Sequence, residues 1–159
     1  MRPIWAGRFA GKVIAFSRRL EDLGFAHGRG IKARHSGRFQ IEVHPHAASV
    51  SLFGLGQIVK YKRGTRLVRA AGLRRLRRLL LSRLPELDPA LPLRLPGVPR
   101  KGSLKPVEDR IDAVFCAYLA AYWWHWAEER NRVYGSGEDG GYIVVPAGTR
   151  TRNHTVISE

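Results

Sequence analysis

VEDRIDAVFCAYLAAYWWHW (residues 107–126) is the stretch on which the fold turns. With Val107 as origin, Ile111, Val114, Phe115, Tyr118, Leu119, Tyr122, Trp123 and Trp126 recur at the i, i+3, i+4, i+7 spacing of one helix face. At about 100° per residue, Glu108 falls inside that apolar stripe, Asp112 on its edge and Asp109 roughly 60° further round. Asp109 and Asp112 are i, i+3 neighbours, with Cβ atoms about 5–6 Å apart. Partial burial and mutual repulsion both disfavour ionisation there, so the acids need a counter-charge. A divalent cation would supply it, and oxygen-only ligands suit Mg2+ or Mn2+ rather than zinc. The competing reading needs no metal. Acids in a first helical turn are favoured by the macrodipole, and Pro106 suits the first helical position.

Upstream, residues 85–100 carry five of the nine prolines and read as an extended connector within one domain, with a short edge strand over Leu93–Leu95. Before it, Thr65 to Leu84 is helical, with Leu73, Leu76, Leu80 and Leu84 on one side and Arg74, Arg75 and Arg78 opposite. That basic face reads either as solvated charge or as a contact for a phosphate backbone, together with Lys60 and Lys62 of the connector KYKRG (60–64). Phe39, Ile41 and Val43 alternate with Gln40, Glu42 and His44 as in a strand, which Pro45 ends, and a short helix over His46–Gly54 follows. Phe9, Val13, Phe16, Leu20 and Leu23 predict a packed helix that stops at a left-handed Gly24, with Phe25 folding back on it. Residues 26–37 read as a loop. Downstream of the quoted stretch, a glycine-rich turn, GSGEDGG (135–141), leads into an apolar strand, Tyr142–Pro146, and residues 147–159 read as a flexible tail.

At 159 residues and 44% hydrophobic composition the chain supports one domain with a core and is not generally disordered. Its 28 Lys+Arg against 13 Asp+Glu give a formal charge of +15, which makes polyanions the natural partners. Nucleic acid leads over an anionic membrane, because no run of residues is suited to inserting in lipid or approaches 18 consecutive apolar positions. One cysteine, Cys116, excludes an internal disulfide and fits a reducing cytoplasm. The N-terminus lacks a secretory pattern.

His44-Pro45-His46 resembles a ligand pair, yet no further cluster completes a tetrahedral zinc site. No glycine-rich phosphate loop and no Gly-x-Ser-x-Gly elbow is present, which removes those nucleotide-binding and hydrolase classes. Of the aromatic run, Trp124 alone lies off the stripe and reads as exposed.

Four blocks in order, IEVHPHAASVSLFGL (41–55), KYKRG (60–64), VEDRIDAVFCAYLAAYWW (107–124) and GYIVVP (141–146), resemble the domain of unknown function 429 family over roughly residues 10–146. The resemblance implies an α/β, RNase H-like fold of the resolvase-like branch, a small sheet packed by several helices over residues 1–146. It further implies a predicted nuclease hydrolysing phosphodiester bonds with Mg2+ or Mn2+. Carried over by residue, Glu42 corresponds to a strand acid and Asp109 and Asp112 to the helix pair that would hold the ions, while His44 and Lys60 are candidates for phosphate contact. The family pattern opens with strands bearing Gly-x-Asp, and here Met1 leads directly into Arg2-Pro3-Ile4-Trp5. By that resemblance the domain is incomplete, an N-terminally truncated form with its opening strands missing. The strand of Glu42 then becomes a sheet edge that invites a partner strand or self-association, and catalysis is impaired. Two alternatives stand beside the nuclease: a non-catalytic basic nucleic-acid-binding protein, and a remnant without independent function.

Overall fold

The computed structural model describes residues 10–135 and 141–148, a mixed α/β arrangement of four helices and two short two-stranded sheets among those residues. Helix α4 (Lys105–Trp126) is its axis, and Ile111, Phe115, Tyr118, Leu119, Tyr122 and Trp123 are all buried, as the stripe requires. Glu108, inside the stripe, is buried with them. Helix α3 (Arg66–Arg83) is started by Thr65, whose hydroxyl accepts from the Val68 N–H at 3.4 Å. Its Leu73, Leu76 and Leu80, with Leu84 just beyond, are at most 1% exposed and face α4. Helix α2 (Pro45–Phe53) takes proline in its first turn and ends at Gly54, whose φ of 62° suits glycine. His44 caps it, its Nδ1 accepting from the Ala47 N–H at 3.3 Å. Leu52 and Phe53 join the core, with Phe53 stacked on Phe115.

Helix α1 (Ala10–Asp22) ends as the sequence indicates, at Gly24 with φ 82° and with the Phe25 N–H returning to the Leu20 carbonyl at 2.9 Å. Its packing differs from expectation. Val13, Ile14, Phe16 and Leu23 are each more than half exposed, because α1 meets the rest of the molecule mainly through β1 (Ala26–His27) and β2 (Phe39–Gln40). β1 runs parallel to β2 inside the stretch read as a loop, and β3 (Asn131–Tyr134) is likewise a strand the sequence did not announce. β3 pairs antiparallel with β4 (Ile143–Pro146), and β4 touches the extended chain after β2 through a parallel bridge, Val43 to Val144.

The proline-rich segment is extended, but Leu93–Leu95 forms no strand. Its outward carbonyls are taken by side chains of α3 instead of by a neighbouring strand: Arg77 donates to Pro96 O at 2.8 Å and Leu95 O at 2.9 Å, and Arg66 to Pro99 O and Gly102 O. The tail is docked for its first two residues. Ala147 N–H donates to Arg130 O at 2.9 Å, and a side chain on Gly148 would meet Ser51 O at 2.9 Å. The core of the glycine-rich turn, 136–140, and the rest of the tail, 149–159, lie outside the described residues.

Candidate functional site

The acid-bearing face of α4 is organised by a close crossing. The chain at Lys60–Tyr61 passes so near α3 that a Cβ on Gly72 would lie 2.0 Å from the Lys60 carbonyl oxygen and 3.0 Å from Tyr61 Cα. Only glycine admits that approach. Tyr61 is thereby driven into the core, where its hydroxyl donates to Asp112 Oδ1 at 2.8 Å. Lys62, next in the chain, puts its ammonium 2.7 Å from Asp112 Oδ2. Burial and the bond to Asp112 hold the Tyr61 phenol well above its usual pKa, so it acts there as a donor.

One turn earlier, Glu108 receives Arg69 at 3.0 Å, and Arg69 also donates to the Tyr61 carbonyl at 3.4 Å, tying α3, α4 and the crossing segment together. Asp109 points outward to Lys105, whose bond to that carboxylate raises the lysine's own pKa. One turn after Asp112, the Cys116 thiol is pushed up by burial and by the Asp112 charge. The His46 ring packs 4.8 Å from that of Tyr61, and its Nδ1 is buried without a partner among the described residues. Burial, followed by Lys62 and His44, lowers its pKa.

The predicted counter-charge therefore exists, supplied by the protein: Lys62 to Asp112, Arg69 to Glu108 and Lys105 to Asp109. Glu42 is exposed on the extended chain after β2, its Oε2 3.9 Å from where a Gly141 side chain would begin. Asp112 is surrounded by Tyr61, Lys62 and His46, and Asp109 is engaged by Lys105. Among the described residues no three His, Cys, Asp or Glu side chains gather so as to hold a metal ion. As arranged, this donor set does not fit a two-ion centre, because each helix carboxylate is already matched by a cation.

The basic face is different in kind. Arg74, Arg75 and Arg78 are exposed, and among the described residues none is ion-paired. A groove of about 430 Å3 between α3 and the proline-rich segment is lined by Arg74, Arg77, Arg78, Leu81, Ser82 and Val98. Lys60, Arg63 and Lys62 are exposed at the crossing near the start of α3, with Lys62 committed to Asp112. Trp124 is 44% exposed as read, but its indole N–H is spent on the His35 carbonyl at 2.9 Å. The sequence reading missed Arg66, Arg69 and Arg77, which fasten backbone and carboxylate, Arg69 and Arg77 from partly buried positions. The signal was present in their spacing: Arg66, Arg69, Leu73, Leu76 and Leu80 continue one another at three and four residues.

Against known families, one model, described as a protein of unknown function (DUF429), matches residues 7–139. The chain belongs to the DUF429 family. No curated protein and no solved structure matches it. Three of the four quoted blocks lie inside the matched span, GYIVVP (141–146) just beyond it, and the span includes every described helix and Glu42 of this DUF429 chain. No described helix is long and apolar enough to cross a membrane.

Proposed function

We propose that this DUF429 chain is a non-catalytic nucleic-acid-binding protein that holds phosphate backbones on the arginine face of α3. One observation carries the reading: on a chain of charge +15, Arg74, Arg75 and Arg78 stand exposed on one helix face with no carboxylate paired to them among the described residues, while every acid on α4 is matched by a cation. Guanidinium groups on a helix spaced three and four residues apart grip successive phosphate oxygens by charge-assisted bonds without reading base edges. The binding is therefore sequence-independent and steeply salt-dependent. A reducing, cytoplasmic location, read from the lone Cys116, belongs to the same proposal.

The finer expectations, an RNase H-like sheet and metal-dependent phosphodiester hydrolysis at Glu42, Asp109 and Asp112, rest on the family resemblance. The cation pairing of the helix acids favours the binding reading over them. Anisotropy of a labelled duplex at several salt concentrations tests the proposal. Replacing Arg74, Arg75 and Arg78 by Gln lowers the slope of log affinity against log salt by about 2–3, at roughly 0.9 per lost contact. An unchanged slope overturns it. Mg2+-dependent cleavage of the duplex that Asp112→Asn abolishes would replace it with the nuclease.

A further inference from the structure

Among the described residues, the extended chain after Gly37, β2 and its continuation to His44, is hydrogen-bonded along one side only. Arg38 O accepts from Ala26 N–H at 3.0 Å, Gln40 O from Gly28 N–H at 2.8 Å and Glu42 O from Val144 N–H at 2.8 Å. Backbone groups of successive strand residues point to opposite edges, so β1 and β4 lie end to end along the even-numbered side. The N–H and C=O groups of Phe39, Ile41 and Val43 point to the other edge, and no described residue bonds to them there. Helix α1 stands on the sheet face of Gln40, anchored by Ser17, whose hydroxyl donates to Gln40 Oε1 at 2.9 Å, and it exposes Val13, Phe16 and Leu23. Open backbone and uncovered apolar surface thus occur on neighbouring parts of the molecule.

We infer that this edge pairs with the same edge of a second copy, antiparallel about a twofold axis at Ile41. That register places Ile41 opposite Ile41, Phe39 opposite Val43, Gln40 opposite Glu42 and Arg38 opposite His44. It is the alignment in which the N–H and C=O groups of Phe39, Ile41 and Val43 all find partners, since those residues fall at the hydrogen-bonded positions of an antiparallel ladder. Apolar side chains meet apolar ones on one face, where Ile41 already packs with Trp123, Tyr142 and Val144. On the other face the single carboxylate, Glu42, meets an amide. A twofold axis normal to the sheet leaves both α1 helices on the same face, one on either side of the seam, where Val13 and Phe16 of the two copies close over it. The overall charge of +15 on each copy opposes the pairing, so added salt strengthens it. Salt has the opposite effect on nucleic-acid binding, so the two proposals stand or fall separately.

Sedimentation velocity of the full chain, from about 1 to about 100 μM protein and from about 50 to about 500 mM salt, reads the dimer directly. A dimer fraction that grows with both is the expected result. Phe39→Pro removes an outward-facing N–H, together with the ring that lies 5.8 Å from that of His35, and returns the chain to monomer, whereas Phe39→Leu, which keeps the N–H, does not. Phe16→Asp, at a side chain 63% exposed and so harmless to folding, raises the dissociation constant at least about tenfold. In a Cys116→Ala background, Gln40→Cys with Glu42→Cys forms an interchain disulfide, because those positions face each other closely in this register. A monomer under all conditions, or a dimer that those cysteines fail to cross-link, overturns the inference.

Discussion

Replacing Gly72 by alanine sets two opposed effects against each other at one atom. In an exposed helix interior the change stabilises by about 1 kcal/mol through helix propensity. At Gly72 the added Cβ would stand 2.0 Å from Lys60 O and 2.6 Å from Lys60 C, both backbone atoms, against an ordinary contact of about 3.5–4.0 Å. The crossing segment must retreat by more than about 1 Å, an overpacking cost of about 1–3 kcal/mol. Retreat draws the Tyr61 hydroxyl off Asp112, now 2.8 Å away, and a hydrogen bond to a charged group is worth about 1.5–3 kcal/mol. After the propensity gain, the net loss is about 1.5–5 kcal/mol, a fall of roughly 3–20 °C in Tm. Gly11, in the first turn of α1 with no neighbouring atom within 4 Å, gives the control: Gly11→Ala leaves stability unchanged or raises it by at most about 1 kcal/mol. Urea denaturation of the two variants measures both signs. A Gly72→Ala protein as stable as the parent would show that the crossing is not held against α3, and the account of how Tyr61 and Lys62 reach Asp112 would fail with it.

Glu108→Gln leaves Arg69, with a side chain only 30% exposed, facing a neutral amide in the core. The expected loss is about 2–3 kcal/mol in chemical denaturation, at or below the low end for a broken buried pair because Arg69 keeps some water; a loss under about 0.5 kcal/mol, the usual range for a surface change, contradicts the pairing. His46 predicts a pH effect of defined sign. Its pKa is lowered in the fold, so the neutral form is the stabilised one: stability is present above the ordinary value of about 6.5 and declines as pH drops below it toward the folded value. His46→Asn flattens that decline in thermal melts between about pH 7 and pH 5, above the range in which carboxylates titrate, and an unaltered profile assigns the effect to another group.

Helix positions were legible wherever burial is periodic. The stripe on α4 located not only its core but the graded exposure of its acids, with Glu108 buried, the Asp112 side chain 18% exposed and that of Asp109 56% exposed. The leucines of α3 and the glycine stop of α1 followed from equally local rules, and α2, read over His46–Gly54, lies one residue earlier at each end. What escaped depends on distant partners. β1 is two residues long, too short to show a period, and exists because parallel backbone bonds join Ala26 to Phe39, while the strand read over Phe39–His44 is realised as β2 at Phe39–Gln40 and a single bridge at Val43. β3 begins directly after the turn that ends α4 and is recognisable only through β4. The half-bare state of α1 is a statement about what lies beside it, which its own strong amphipathicity cannot express. At the candidate site the need for a counter-charge was legible from Asp109 and Asp112, but its source was not. Lys62 and Arg69 are about fifty and about forty residues from the carboxylates they match, and the glycine that brings them there looks in sequence like a flaw in an arginine-rich helix.

The way α3 divides its arginines also bears on how this surface tolerates change. Tyr118 and Trp126 hold the near end of the 85–100 stretch at Pro89 O and Asp88 O, and its far half is fastened by the forked guanidinium of Arg77, which reaches Pro96 O and Leu95 O at once, and by Arg66 at Pro99 O. A lysine carries the same charge but cannot span two carbonyls with a planar fork. Two helices of identical composition, one with its lysines at positions 66 and 77 and the other with them at 74 and 78, would be indistinguishable by net charge or isoelectric point. The first would let the proline strap come loose, and the second would leave it fastened.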